Sequence, residues 1–188
     1  MANEAEKTLH EMQQVLTIDA NGVYETEEDK AELLWHELQN AYRSKRILSG
    51  VLSGVEETSS GSIAVVYYKG QRMIIPVSEM ELNLSEQNGY GEMKGRQVRI
   101  LNNMVGCEID FILIALDDTA RSVVASRRLA MLAKRRKFYF PNENGNAQIT
   151  EGRVVQARVI AVAEKVVRLE VFGAECAVPA RDIAWEWV

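Results

Sequence analysis

Hydrophobic positions change rhythm twice along this chain. Near the start, Ala5, Leu9, Met12 and Leu16 recur at steps of four, three and four, which places them on one helical face over residues 3–16. Asp19, Asn21 and Gly22 break that pattern and predict a loop. Helical spacing returns from about Glu27 to Arg43 with Leu34, Leu38, Ala41 and Tyr42, and Trp35 lies beside the stripe. Thr26 is placed to accept from the first free N–H groups, while Glu27, Glu28 and Asp29 suit the positive end of the helix dipole. Arg43, Lys45 and Arg46 stand favourably at the other end.

After Arg46 the texture is that of strands. ILSGVLSGVEE, SIAVVYY and RMIIPV are rich in β-branched and aromatic residues, with Gly and Ser between them. Residues 81–104 are mixed, with Gly89, Gly91, Gly95 and several Asn, and read as a long connection. Alternation resumes in CEIDFILIAL, where Ile109, Phe111, Leu113 and Ala115 share one side. The DDTARS turn then leads to a fifth strand, SVVAS. A helix over about Ser126 to Lys137 follows, ended by Pro141 and the Asn/Gly-rich PNENGNAQ. The pattern predicts a mainly β fold with a helical N-terminus and a five-stranded barrel of OB size. Its parts are a helical segment over 1–44, a barrel with a trailing helix over 45–140, a linker over 141–149, and a further unit over 150–188.

That last unit reads as a second copy of the barrel's first strands. With Gly173 set on Gly70 and Pro179 on Pro76, ECAVPARDI overlays RMIIPVSEM, and RVVQARVIAV overlays RILSGVLSGV. LEVF falls on VVYY with Lys69 as one extra turn residue. The copy supplies three strands and lacks a fourth and fifth, which would leave a sheet edge open. The expectation is either a shortened form of a longer protein or completion by another chain or segment.

Composition refines this picture. At 188 residues with 47% apolar content, the chain can bury a core. Its formal charge of −5 argues against a uniformly basic nucleic-acid coat. The charge is uneven, however. Acid gathers early, as in YETEEDKAE, whereas Thr119 to Asn142 contains no Asp or Glu and carries Arg121, Arg127, Arg128, Lys134, Arg135, Arg136 and Lys137. On the trailing helix, Leu129, Leu132 and Ala133 are assigned to the barrel side, with Arg128, Lys134 and Arg135 outside. That outer row is either a solvated face or a set of phosphate contacts. In the hairpin VVYYKGQRMIIPVSEM, Val65 and Tyr67 are the better core candidates, which turns Tyr68 to the open side near Lys69 and Arg72.

Other chemistry is sparse. Cys107 and Cys176 have no metal-ligand spacing and read as small buried hydrophobes in a reducing compartment. His10 and His36 lack a second ligand nearby and read as surface or packing residues. No Ser/His/Asp or Cys/His constellation is supported, and GYGEMKG lacks the context of a phosphate loop. The N-terminus has no signal pattern and no apolar run is long enough to span a membrane, so a cytoplasmic, non-catalytic protein without cofactor or metal is expected.

Three stretches carry a family resemblance: SGVLSGV (49–55), YYKGQRMIIPVSEM (67–80) and MVGCEIDFILIALDDTARSVVASRR (104–128). Val-Gly, a strand, an Asp-containing turn, a strand and Ser-Arg-Arg, in that order, resemble the S1 RNA-binding domain family. The resemblance covers about residues 45–130 and part of 150–188. It implies an OB-type barrel that holds single-stranded RNA by a basic groove and flat side chains, in translation or RNA metabolism, with the ribosome or another protein as a further partner. Under it, the nucleic-acid-binding candidates are Tyr68, Lys69, Arg72, Arg121, Arg127, Arg128, Lys134 and Arg135. Family members often stack bases on aromatics of the second and third strands, where this chain has Ala64 and Ile74, and in the second copy Val167 or Arg168 and Ala177. Each stacked base contributes roughly 1–3 kcal/mol. These replacements, the acidic charge and the acidic N-terminal helix favour the alternative, an S1-derived protein-interaction module.

Overall fold

The structure, a computed structural model, describes residues 26–59, 61–82, 90–143 and 145–183. The helix expected over residues 3–16 lies outside them. The chain divides into two units between His36 and Glu37, within helix α1 (Glu27–Ser44). At the helix start, Thr26 Oγ1 accepts from the Asp29 N–H at 3.1 Å, and Asp29 Oδ2 accepts from the Thr26 N–H at 3.0 Å. This reciprocal cap satisfies two otherwise free donors. His36 is exposed, as its surface reading requires.

In the second unit, β1 (Leu48–Thr58), β2 (Gly61–Tyr68), β3 (Gln71–Pro76), β4 (Glu108–Asp117) and β5 (Ser122–Ser126) occupy the five expected strand segments. They pair in the order β1-β2-β3-β5-β4, and β4 returns to β1 to close a barrel. Only β3 and β5 run parallel. Leu52, Val66, Met73, Ile75, Ile109, Phe111 and Leu113 fill the interior without exposed surface. The alternation read in β4 holds for Ile109, Phe111 and Leu113, which lie inside, but not for Ala115, which is exposed beyond a register shift between Leu113 and Ala115.

Two sequence readings change here. Residues 81–104 are not simply a connection, because α2 spans Tyr90–Asn103. Its glycines weaken helical propensity, but Ile100, Leu101 and the following Met104 are buried, and that tertiary packing outweighs propensity. The trailing helix α3 (Arg127–Tyr139) starts on Ser126, whose Oγ accepts from the Leu129 N–H at 3.1 Å. Its buried residues are Arg127, Ala130 and Met131, whereas Leu129, Leu132 and Ala133 are only half-buried. Each buried residue thus lies two positions before the expected one, which places the inward face nearly opposite the expected face. The segment after α3 folds back, since the Gln148 and Ile149 N–H groups both donate to the Phe138 carbonyl, at 3.0 and 2.9 Å.

The second sheet consists of β6 (Arg158–Ala163), β7 (Val166–Val171) and β8 (Ala174–Pro179). It repeats β1–β3 in detail. The pairings Val166↔Pro179 to Val171↔Ala174 match Ile63↔Pro76 to Tyr68↔Gln71 position by position. Both hairpins turn on two residues with positive φ, Lys69-Gly70 and Phe172-Gly173, as a type I′ turn requires. The first strands of both copies carry a register shift, between Leu52 and Gly54 and between Val159 and Ala161. A one-turn 3-10 helix follows each proline, at Val77–Glu79 and Ala180–Asp182. This register corrects the overlay of LEVF on VVYY. Phe172 stands at Lys69, Glu170 at Tyr67, and no extra residue is needed.

The two copies bury opposite faces. In the barrel, Met73 and Val66 point inward; their counterparts Cys176 and Leu169 are exposed and half-buried. Val159 and Val162 on the same face are 48% and 66% exposed. Cys176 is therefore not the buried hydrophobe expected, because among the described residues no fourth or fifth strand covers that face. Cys107 is half-buried, and both thiols are free. No helix of the described residues is long and apolar enough to cross a membrane.

Candidate nucleic-acid interface

The two-residue turn fixes which side chains share the hairpin's outer face. Tyr68 pairs with Gln71 and Tyr67 with Arg72, so Tyr67 and Arg72 lie on one side while Val66 and Met73 point into the core. The assignment of Tyr67 inward and Tyr68 outward is therefore reversed. Tyr67 is 44% exposed, and across β1 its partner Val51 is 46% exposed. Glu108 stands beyond Val51 on β4. The row Glu108, Val51, Tyr67, Arg72 runs across four strands of the outer surface. Ala64, placed at a stacking position from the sequence, is an inward residue with no exposed surface.

Tyr68 has a different role. Its hydroxyl donates to Glu37 Oε1 at 2.8 Å, and Lys69 Nζ reaches Glu37 Oε2 at 2.7 Å. Arg46 also pairs with Glu37, at 3.1 Å. The Lys69 ammonium, then the Tyr68 hydroxyl, hold the Glu37 carboxyl below the usual carboxylate range. Burial, then the Glu37 carboxylate, push the Tyr68 phenol up. These contacts tie the hairpin tip to α1.

Arg72 pairs with Glu56 at 2.7 Å, both side chains being about half exposed at 44% and 52%. Such a surface pair contributes about 0–1 kcal/mol, so an incoming phosphate can displace the carboxylate. Arg121 is exposed in the β4–β5 turn, where its carbonyl accepts from Gln71 Nε2 at 3.2 Å. Arg128 is half exposed and bonds Glu79 Oε1 at 2.9 Å.

Three further members of the basic belt face inward, whereas Arg136 and Lys137 are exposed on α3. Arg127 is fully buried and donates to the Met80 carbonyl at 2.9 Å, with Glu175 at 3.4 Å. Lys134 pairs with Asp110 and Glu170. Arg135 bonds Glu81 at 2.6 Å and the Gly173 carbonyl at 2.9 Å. Arg127, Lys134 and Arg135, expected at phosphates, instead bracket the second sheet onto α3. The sequence lacks acid between Thr119 and Asn142, but Glu79, Glu81, Asp110, Glu170 and Glu175 arrive from elsewhere in the fold.

That bracket occupies the second copy's version of the Tyr67–Arg72 pair, which is Glu170 opposite Glu175. Glu175 also accepts from Arg168 at 2.6 Å. Asp110 joins the network through Ser49 at 2.5 Å and Arg158 at 2.8 Å. Burial alone would raise the Asp110 carboxyl, but Lys134, Ser49 and Arg158 outweigh it and hold the group below the usual range. The outer face of the second copy is thus largely a docking surface within the chain, and the barrel's outer row is the more open candidate.

No protein-family model and no curated protein matches the chain.

Proposed function

We propose that this protein binds single-stranded RNA, without strong sequence preference, on the outer face of an OB barrel of the S1 type. Support for the fold type comes from the barrel order β1-β2-β3-β5-β4, the parallel β3–β5 contact and the helix between β3 and β4, together with the S1-like motifs. The observation that carries the functional reading is the cross-strand pair Tyr67–Arg72: an exposed ring for a base beside a guanidinium whose carboxylate partner is exchangeable. Arg121 and Arg128 add positive charge at the surface. With one ring on this row and much of the belt held in internal pairs, affinity is modest and strongly dependent on salt. A fluorescence-anisotropy titration with a labelled strand of about 15 nucleotides at low salt, long enough for one OB site, tests it. Saturable binding that weakens with salt is expected; no binding at about 100 µM protein, the upper end of non-specific affinities, sinks the reading.

A protein partner is the second reading, favoured by the exposed apolar face of Val159, Val162 and Cys176. In the barrel, β4 and β5 cover the corresponding face and pair with the corresponding edges. A partner that adds strands beside β6 or β8 would do the same.

A further inference from the structure

A cleft of about 570 Å³ lies between α2 and the second sheet. Arg96 and Arg99 approach from α2, both exposed, and Arg168 from β7. Ile100, Ala161 and Val166 form apolar parts of its wall. No Asp or Glu lines it among the described residues. Pairing places Ala161 and Val166 on the Arg168 face of the sheet, the face whose Glu170–Glu175 end is held against α3. The cleft is therefore the part of that face left open. Arg168 is already engaged by Glu175, whereas Arg99 forms no ion pair among the described residues.

We propose that this cleft binds a nucleoside phosphate unit, with the phosphate on Arg99 and Arg96 and the base or sugar against the apolar wall. Guanidinium groups suit phosphate because they offer forked donors and are weakly hydrated. A wall of small and branched apolar residues leaves space for a flat ring and, among the described residues, brings no carboxylate that would repel the phosphate. The unit has two possible sources, a free mononucleotide or one nucleotide of a longer strand. In the second case the cleft extends the RNA site proposed above and rests on that reading; in the first it stands independently.

The test uses the full chain and an Arg99→Glu variant, with UMP and a labelled single strand of about 15 nucleotides as probes. Because Arg99 is exposed, an unchanged urea midpoint serves as the folding control. Amide NMR shifts at Gly95, Arg99 and Ala161 on adding UMP, abolished in Arg99→Glu, assign the cleft to a free nucleotide. Shifts there with the strand alone, with affinity lowered about tenfold by the variant and the salt slope reduced by about 0.7 per lost phosphate contact, assign it to a strand. If neither probe shifts those amides, the proposal is overturned. Strand binding that depends on Tyr67 and is equal in wild type and Arg99→Glu, with no UMP shift at the cleft, also overturns it, while the barrel-face reading stands. UMP in the cleft without strand binding upholds the cleft and overturns the barrel-face reading.

Discussion

Lys134 on α3 pairs with Glu170 of β7, and the other oxygen of that carboxylate is buried without a hydrogen-bond partner. Glu170 is 3% exposed, so Lys134 is the counter-charge that makes its burial tolerable. Asp110, the other acid on Lys134, retains Ser49 and Arg158. Lys134→Met should therefore destabilise mainly through Glu170, by about 3–5 kcal/mol, the usual result of leaving a buried charge unpaired. Adding Glu170→Leu should recover most of that loss, because an apolar pair of similar size carries no desolvation penalty. Urea unfolding of the two variants checks both steps; a double variant no more stable than Lys134→Met would contradict this account.

Acid should loosen the same network. The Asp110 carboxyl is held low against the effect of burial by Lys134, Ser49 and Arg158, and the Glu79 carboxyl is held low by Arg128 and Ser126. A carboxyl depressed by folding binds fewer protons in the native state than in the unfolded chain, so stability rises with pH. The contribution is complete above the ordinary carboxylate value of about 4 and is lost as pH falls from there through the depressed values. Unfolding midpoints measured from neutral pH downward should fall below about pH 4. In Asp110→Asn the neutral-pH midpoint should be lower and the acid slope shallower. An unchanged slope would show that Asp110 does not titrate with unfolding.

Gly70 and Gly173 occupy the same turn position in the two copies, with φ of 86° and 96°. Alanine at either site costs about 1–2 kcal/mol for the left-handed backbone. Their surroundings differ. A Cβ at Gly70 meets nothing within 4 Å, whereas one at Gly173 would lie 2.3 Å from the Met131 carbonyl oxygen and 2.9 Å from the Arg135 nitrogen. Those are backbone atoms of α3, which cannot swing aside as a side chain would. Gly173→Ala should therefore cost clearly more and weaken hydrogen-exchange protection of β7 and β8, while Gly70→Ala leaves that protection intact. Equal losses in the two variants would mean that the turn does not dock tightly on α3.

The strands were legible because β-branched residues, Gly turns and the two Pro-containing strand ends recur at spacings set by local backbone geometry. The repeat was legible for the same reason, and its one misplaced residue came from aligning composition rather than the two-residue turn. That turn also carried the missed signal for Tyr67: it forces Tyr67 opposite Arg72 and Val66 opposite Met73, so the charged partner marks the outer face. Helix α2 was hidden by Gly91 and Gly95, although Ile100, Leu101 and Met104 share a helical side. The fate of the basic belt was not legible at all. Lys134 and Arg127 find acids 24 to 48 positions away, and only the folded chain brings those charges together.

Tyr67 and Tyr68 are adjacent, yet they should separate binding from stability. Tyr67 is exposed beside Arg72, so under the proposed RNA reading Tyr67→Ala removes a stacking surface worth roughly 1–3 kcal/mol, or about 5- to 150-fold in RNA affinity. It leaves the barrel interior untouched, and the urea midpoint should move little. Tyr68→Phe keeps the ring but removes the hydroxyl that donates to Glu37. A hydrogen bond to a charged acceptor contributes about 1.5–3 kcal/mol, less where water competes, so this variant should lose about 1 kcal/mol of stability and none of its RNA affinity. Anisotropy and urea unfolding on both variants give the comparison. Loss of affinity in Tyr68→Phe with full retention in Tyr67→Ala would return the binding role to Tyr68.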